Sequence, residues 1–252
     1  MKYQGRVCAI QKEIVESFRK QRGNTVCGLA SLAIVLTARN LAAISSKEQG
    51  KTLSLLEEQS IPLHFVDPSS DCFVDEDDVF PMAFKATNRL ATTIVPNEKI
   101  RTLGMTLEQI RALAEALPTT KRAITFSPAT TVNRKMIDES KTKETVNSNE
   151  LRRNLTGPSH LRDLLVGFLS EPSVRTGIIL NYHMSTLGQV PFGGHLSPVA
   201  AYDASSDSVL VMDVWHTQTE PVWASIETVW KSILEIDTES LEPRGLLRVL
   251  HG

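Results

Sequence analysis

One cysteine in this sequence, Cys27, is placed where a thiol could be reactive. Cys27 follows a polar turn at residues 21–25 and opens an apolar run that extends to Leu36. A thiol at a helix N-terminus has a lowered pKa because the positive end of the helix dipole stabilises the thiolate. A cysteine in an apolar helix is nevertheless more often an inert small hydrophobe. Cys27 therefore qualifies as a nucleophile only if a base lies beside it.

His195 is the candidate base, and Asp213 is the candidate residue that orients it. A cysteine nucleophile needs an imidazole that shares its proton and a third group that holds the imidazole ring. His195 follows a flexible pair of glycines, and Asp213 stands in an otherwise apolar stretch. A buried carboxylate is costly unless it is paired, so Asp213 requires a donor.

The segments that carry these two residues are predicted to form a β-hairpin. Residues 195–203 and 208–215 have the composition of strands and flank a short polar turn. A two-residue loop between them would put His195 and Asp213 on opposite faces of the hairpin. An odd-length loop or a β-bulge would put them on one face, at a diagonal separation of roughly 7 Å. The candidate pair therefore requires such an irregularity.

The surrounding pattern predicts an α+β fold. The apolar run after Cys27 predicts a buried central helix of about 13 residues. Thr106 and Gln109 form a capping-box pattern at the start of an amphipathic helix. Strand patterns dominate the last third of the chain, so helices precede an antiparallel sheet.

We expect one domain over residues 1–252. Its helical part covers residues 1–170 approximately, and its sheet part covers residues 171–252 approximately. Residues 127–158 are polar and poor in apolar side chains, which predicts an inserted loop or lid.

Composition narrows the class of partner. The net charge of -2 gives no nucleic-acid footprint. Three cysteines without a C-x-x-C pair favour a reducing compartment, so we expect a cytoplasmic protein without a disulfide framework. No apolar run looks long enough to span a membrane.

Residues 75–78 are acidic but lack the glycine and glutamate of a calcium loop, so we expect a solvated acidic loop and no metal site. Whether the chain forms a homodimer is left open.

Several motifs carry a resemblance to a known family. They are Q-x-x-x-x-x-C-G-L-A-S-L at residues 21–32, N-Y-H at 181–183, G-H-L-S-P-V-A-A-Y-D at 194–203 and R-G-L-L-R-V at 244–249. Together they resemble phytochelatin synthase, a papain-like cysteine peptidase that acts as a dipeptidyl transferase. The resemblance is close over residues 10–40 and 160–250 and weak between them. It corresponds to a bacterial-type, single-domain form without a Cys-rich C-terminal region.

The resemblance implies a papain-like fold and an acyl-enzyme mechanism. Cys27 is the nucleophile, His195 the general base and acid, and Asp213 the residue that orients His195. Gln21 supplies an oxyanion-hole donor beside the Cys27 backbone N–H. Glycine then leaves glutathione, and the γ-glutamylcysteinyl group passes to a second glutathione or to water. No cofactor is implied, and metal ions enter only as metal–thiolate complexes of the substrate.

Departures from the family pattern concern the substrate. In typical members, basic residues that hold the carboxylates of glutathione stand where this sequence has Met184, His216 and Gln218. A neutral residue cannot replace bidentate recognition of a carboxylate by arginine. These three residues, with Gly28 and Gly194 beside the catalytic residues, form the candidate substrate-binding set.

Three functions stay open. The first is a thiol acyltransferase or hydrolase that cleaves the Cys–Gly amide of glutathione. The second keeps the catalytic residues but acts on another amide or a thioester, as an amide-forming acyltransferase of biosynthesis or a deconjugating peptidase. The third is a non-catalytic binding protein with an inherited fold, in which Cys27 would alkylate no faster than free cysteine at neutral pH.

Overall fold

The computed structural model describes residues 7–48, 67, 69–86, 97–129, 151–190, 193–217 and 220–252. Most of the predicted insertion at 127–158, and Gln218, lie outside the described residues. The helices are α1 (Lys12–Glu16), α2 (Cys27–Glu48), α3 (Val79–Ala86), α4 (Asn97–Leu103), α5 (Leu107–Glu115), α6 (Pro158–Leu169) and α7 (Ile226–Leu234). The strands are β1 (Val7–Ile10), β2 (Thr120–Pro128), β3 (Arg152–Leu155), β4 (Thr176–His183), β5 (Gly194–Asp203), β6 (Ser208–Val211), β7 (Val222–Ser225), β8 (Ile236–Asp237), β9 (Glu242–Pro243) and β10 (Gly245–His251).

Eight of these strands form one sheet with the order β3-β2-β10-β4-β5-β6-β7, and β1 also pairs with β5. Neighbours are antiparallel except β2 and β3, which are parallel. Strands β8 and β9 make a separate two-stranded ribbon. The predicted α+β class is confirmed, and the mixed sheet with its helices is consistent with a papain-like fold.

The sheet has a hydrophobic layer on each face. Ile179 of β4 packs in the cluster that contains α2, whereas Ile178 and Leu180 pack in the cluster that contains α6 and α7. This division follows from the alternation of side chains along a strand. Strand β4 is apolar on both faces because helices cover both sides of the sheet there.

Helix α2 is longer than the sequence pattern predicts. It has 22 residues rather than about 13 because alanines and other good helix formers continue it past Leu36. By length and composition, Cys27–Ser45 could cross a membrane, so the expectation that no run is long enough is wrong. However, 72% of this apolar stretch is buried inside the fold, as expected of a core helix.

Strands β1, β2 and β3 come from residues 1–170, the part of the chain predicted to be helical. Strand β2 pairs with β10 along its length, and β3 adds to the edge of β2. The segment that forms β3 lies within the predicted insertion, where its polar residues Arg152, Arg153 and Asn154 hide the strand pattern. In contrast, the predicted capping box at α5 is confirmed, since Thr106 and Gln109 exchange both hydrogen bonds.

The hairpin of β5 and β6 contains the required irregularity. The strands pair in one register from Asp203 to Ala201 and in a register shifted by one residue at Val199. This β-bulge exchanges the faces of the residues that follow it along the hairpin. The shift puts His195 and Asp213 on the same face, where their side chains meet.

We expect Gly177→Ala to destabilise the protein by about 1–3 kcal/mol, the usual cost of overpacking a core. A Cβ at Gly177 would overlap the side chain of Val35 on α2. Thermal unfolding should show a lowered Tm. Gly167→Ala is the matched control, because a Cβ there has open space and alanine favours a helix. An unchanged Tm in Gly177→Ala would contradict the close contact between α2 and β4.

Candidate active site

Cys27 is the first residue of α2 and is buried. Gly28 follows it at a point of close packing. A Cβ at Gly28 would lie 2.9 Å from the sulfur of Met105 and 3.2 Å from a methyl carbon of Leu196. Glycine therefore allows both the segment before α5 and strand β5 to approach the helix end that carries the thiol.

The imidazole of His195 is held by the carboxylate of Asp213. His195 Nε2 lies 3.0 Å from Asp213 Oδ1. Asp213 is 0% exposed, and its carboxylate also accepts hydrogen bonds from Gln189 Nε2 and from the backbone N–H of Trp215. The bond from Trp215 turns the chain just after β6, which explains why the strand ends at Val211 rather than near 215.

Two aromatic rings fix the plane of His195. The ring centroid of Tyr182 lies 5.7 Å from that of His195, and the ring centroid of Trp215 lies 5.9 Å from it. Both contacts are edge-to-face, an arrangement that aromatic pairs favour. Burial raises the pKa of Tyr182 well above its usual value, and the negative charge of Asp213 adds to this, so the phenol stays neutral.

The thiol and the imidazole shift each other's pKa. Burial alone raises the pKa of Cys27, but its hydrogen bond to His195 and the positive charge of that ring outweigh burial and lower the pKa below its usual value. Burial alone lowers the pKa of His195, but its hydrogen bonds to Asp213 and Cys27 raise it to about 9. These shifts favour a thiolate beside an imidazolium at neutral pH.

A cavity of about 470 Å³ opens over Cys27 and His195. One side, the helical wall, consists of residues from the segment 99–109 and the turn residues Asn24 and Thr25. The opposite side, the sheet wall, includes Asn181, Met184 and Gly194 together with residues of the β8–β9 ribbon. A substrate that fills the cavity would have the thiol at its base and a different half of the protein on each side.

Arg244 and Asp237 form a charged pair in the sheet wall that the sequence pattern did not indicate as a site. Arg244 is 5% exposed, and its Nη1 donates to Asn181 Oδ1 at 3.0 Å and to Asp237 Oδ2 at 3.2 Å. Its Nε is buried without a partner among the described residues. Gly194 leaves the space that the guanidinium occupies, because a Cβ there would overlap it. The signal that could have found Arg244 was its place in the R-G-L-L-R-V motif.

Of the other predicted site residues, Met184 lines the cavity, whereas Gln21 and His216 do not. Gln21 is buried in the turn, its Nε2 donates to the carbonyl oxygen of Gly23, and it does not line the cavity. Met184 is buried and lines the cavity. His216 is exposed and packs on Trp215 rather than lining the cavity. Among the described residues, no group of three or more His, Cys, Asp or Glu side chains is arranged to hold a metal ion.

A sequence profile described as phytochelatin synthase matches residues 4–246. This chain belongs to the phytochelatin synthase family. The match to the family covers α2, the β5–β6 hairpin and Arg244.

Curated relatives align with part of this phytochelatin synthase family member. Glutathione gamma-glutamylcysteinyltransferase 3 of Lotus japonicus is 32% identical over 96 residues, which are 38% of this chain and 19% of that relative. Glutathione gamma-glutamylcysteinyltransferase 2 of Arabidopsis thaliana is 31% identical over 72 residues, 29% of this chain and 16% of the relative. The Schizosaccharomyces pombe glutathione gamma-glutamylcysteinyltransferase is 31% identical over 74 residues, 29% and 18% of the two chains. The aligned stretches thus span less than a fifth of each relative.

We expect iodoacetamide to alkylate Cys27 at pH 7 faster than it alkylates a cysteine in an unstructured peptide. The lowered pKa of Cys27 keeps the thiolate present below the usual thiol range, and His195 stays protonated up to about pH 9. His195→Ala should move the rate–pH profile of Cys27 to higher pH, because the hydrogen bond and the positive charge that lower the pKa of Cys27 most are then lost. Peptide mass spectrometry measures the rate at Cys27. Cys72→Ser is the control and should leave the profile unchanged; a profile at the usual thiol pKa in the unmodified protein would exclude the ion pair.

Proposed function

We propose that this chain forms an acyl-enzyme on Cys27 by cleaving the Cys–Gly amide of glutathione, and that it transfers the γ-glutamylcysteinyl group to water or to another glutathione. The observation that carries the proposal is the contact of Cys27, His195 and Asp213 at the base of a cavity whose wall holds Arg244. The names of the relatives support the same substrate.

In the proposed acylation step, the thiolate of Cys27 attacks the carbonyl carbon of the Cys–Gly amide. Asp213 occupies Nε2 of His195, so the proton faces the substrate on Nδ1. His195 gives this proton to the amide nitrogen, the C–N bond breaks, and glycine leaves. A thioester remains on Cys27. As the first residue of α2, Cys27 also has a backbone N–H without an acceptor in the helix, which can donate to the oxyanion.

In the proposed deacylation step, His195 acts as a base. Its Nδ1 removes a proton from water, which gives hydrolysis, or from the amine of a second glutathione, which gives a longer peptide. The nucleophile attacks the thioester carbonyl, and the C–S bond breaks. The thiolate and imidazolium of Cys27 and His195 are thereby restored.

Arg244 and Asp237 fit the γ-glutamyl end of the substrate. A γ-glutamyl group ends in a free α-carboxylate and a free α-ammonium, and the sheet wall presents a guanidinium and a carboxylate side by side. Arg244 also has a buried Nε that is free to donate among the described contacts. Charge-assisted bonds of this kind hold a carboxylate more strongly than neutral ones. This pair supplies a cation that the residues at 184, 216 and 218 do not.

A different amide or thioester substrate is the second candidate. Met184 supports it, because this buried apolar side chain lines the cavity where typical family members have a cation. In this alternative, an apolar acyl group contacts Met184, and the catalytic residues keep their roles.

Incubation of the purified protein with glutathione tests the first candidate. We expect glycine and γ-glutamylcysteine, or longer γ-glutamylcysteinyl peptides, by mass spectrometry, and no turnover by Cys27→Ala because the thioester cannot form. Cys72→Ser should keep the activity, since Cys72 lies outside the cavity. Turnover no greater than that of Cys27→Ala would reject glutathione as the donor. Labelling of Cys27 by an acyl-thioester library would then identify the second candidate.

Arg244→Gln should raise the KM for glutathione by about 10-fold or more, because a charge-assisted bond contributes about 1.5–3 kcal/mol. Its alkylation by iodoacetamide should stay close to that of the unmodified protein, which shows that Cys27 is intact. Arg153→Gln is the matched control, since Arg153 is exposed on β3 and outside the cavity. An unchanged KM in Arg244→Gln would place the substrate carboxylate elsewhere.

A further inference from the structure

The turn before Cys27 is tied to both halves of the protein by two consecutive backbone amides. The N–H of Gln21 donates to the carbonyl oxygen of Val214, next to Asp213, at 2.8 Å. The N–H of Arg22 faces the carboxylate of Glu76, at 3.3 Å from Oε1 and 3.4 Å from Oε2. The first bond holds the turn to the sheet half, and the second holds it to the helical half.

Glu76 is a buried carboxylate whose partner is this turn. It is 5% exposed, and Arg22 Nε donates to its Oε1 at 3.0 Å. The guanidinium of Arg22 also binds Asp75 and Asp77. The expectation of a solvated acidic loop is therefore wrong for Glu76, because one residue of the turn supplies it with both a backbone and a side-chain donor. Desolvating a carboxylate requires such compensation.

The segment that carries Glu76 is fixed on the helix that carries Cys27. The backbone N–H of Val74 donates to Thr37 Oγ1 at 3.0 Å, and Asn40 Nδ2 donates to the carbonyl oxygen of Cys72 at 3.1 Å. Thr37 and Asn40 both belong to α2. Glu76 thus connects the turn to the middle of α2. The residues that lead into α2 are therefore held against a later part of the same helix.

We propose that Glu76 is a positioning residue that holds the turn at residues 21–25 so that the backbone N–H of Cys27 faces the developing oxyanion. A backbone donor stabilises a transition state only when it is already aimed at the position that the oxyanion will occupy. Glu76 does not line the cavity and its described hydrogen bonds go to Arg22, so in this proposal it acts on the donor and leaves the thiolate–imidazolium pair as it is.

Two reagents that react with the same thiol separate these roles. Iodoacetamide alkylates Cys27 by displacement of iodide, and no oxyanion forms. p-Nitrophenyl acetate acylates Cys27 through a tetrahedral oxyanion: the S–C bond forms, the C–O bond breaks, and p-nitrophenolate leaves. The ratio of the two rate constants reports oxyanion stabilisation and does not require the natural substrate. Rates are corrected with Cys27→Ala, and folding at the assay temperature is checked by circular dichroism.

We expect Glu76→Ala to lower the acylation rate by about 10-fold or more, a fraction of the 10²–10³-fold that loss of an entire oxyanion donor costs. Its alkylation rate and rate–pH profile should stay within about twofold of those of the unmodified protein. Glu76→Gln keeps one acceptor oxygen for the N–H of Arg22, so its acylation rate should fall less. Asp67→Asn is the control, because Asp67 is an exposed carboxylate that binds only Ser69 among the described contacts.

Equal losses in both reactions would overturn the proposal, since Glu76 would then act on the thiolate or on stability. An unchanged acylation rate in a folded Glu76→Ala or Glu76→Gln variant would also overturn it. Neither outcome depends on whether glutathione is the substrate, because both reagents probe Cys27 directly.

Discussion

The buried carboxylate of Asp213 is the constraint on which the rest of the site depends. A carboxylate without water must be surrounded by donors, and here Gln189, the backbone of Trp215 and His195 provide them. The donor from His195 is the costly one to arrange, because it requires the β-bulge that puts both residues on one face of the hairpin. Once the imidazole is bound at Nε2, Nδ1 is left for Cys27. The location of the thiol at the start of α2 then determines where the cavity must open.

Burial opposes the ion pair, and the magnitudes show why the pair must act as a unit. The usual pKa values of the thiol and the imidazole are 9.0 and 6.5, so proton transfer from Cys27 to His195 must reverse a difference worth about 3 kcal/mol. Two unit charges about 4 Å apart gain about 4 kcal/mol at an effective dielectric constant of 20. Their mutual attraction is therefore of the size required, and the hydrogen bond from His195 to Asp213 adds to it.

The grouping of Cys27, His195 and Asp213 could be anticipated from the sequence because these residues have local signatures. Cys27 precedes an unbroken apolar run. Asp213 is an acidic residue within an apolar stretch, where a buried carboxylate needs a partner. The alternation of side chains along the hairpin also indicated an irregular register. Its position could not be predicted, because a bulge depends on packing against both neighbouring strands. Strand β3 could not be predicted either, since polar side chains on an edge strand have no apolar alternation to show.

The order of strands in the sheet explains why Arg244 was not predicted as a site residue. Positions 184, 216 and 218 lie near His195 and Asp213 in the chain and carry neither arginine nor lysine, whereas Arg244 lines the cavity from the connection before β10. It does so because β10 pairs with β4, so the start of β10 lies beside Asn181 at the end of β4 nearest the cavity. Gly194 on the next strand then leaves room for the guanidinium. Sheet order rather than proximity in the chain therefore decides that an arginine lines this cavity, although positions 184, 216 and 218 carry neither arginine nor lysine.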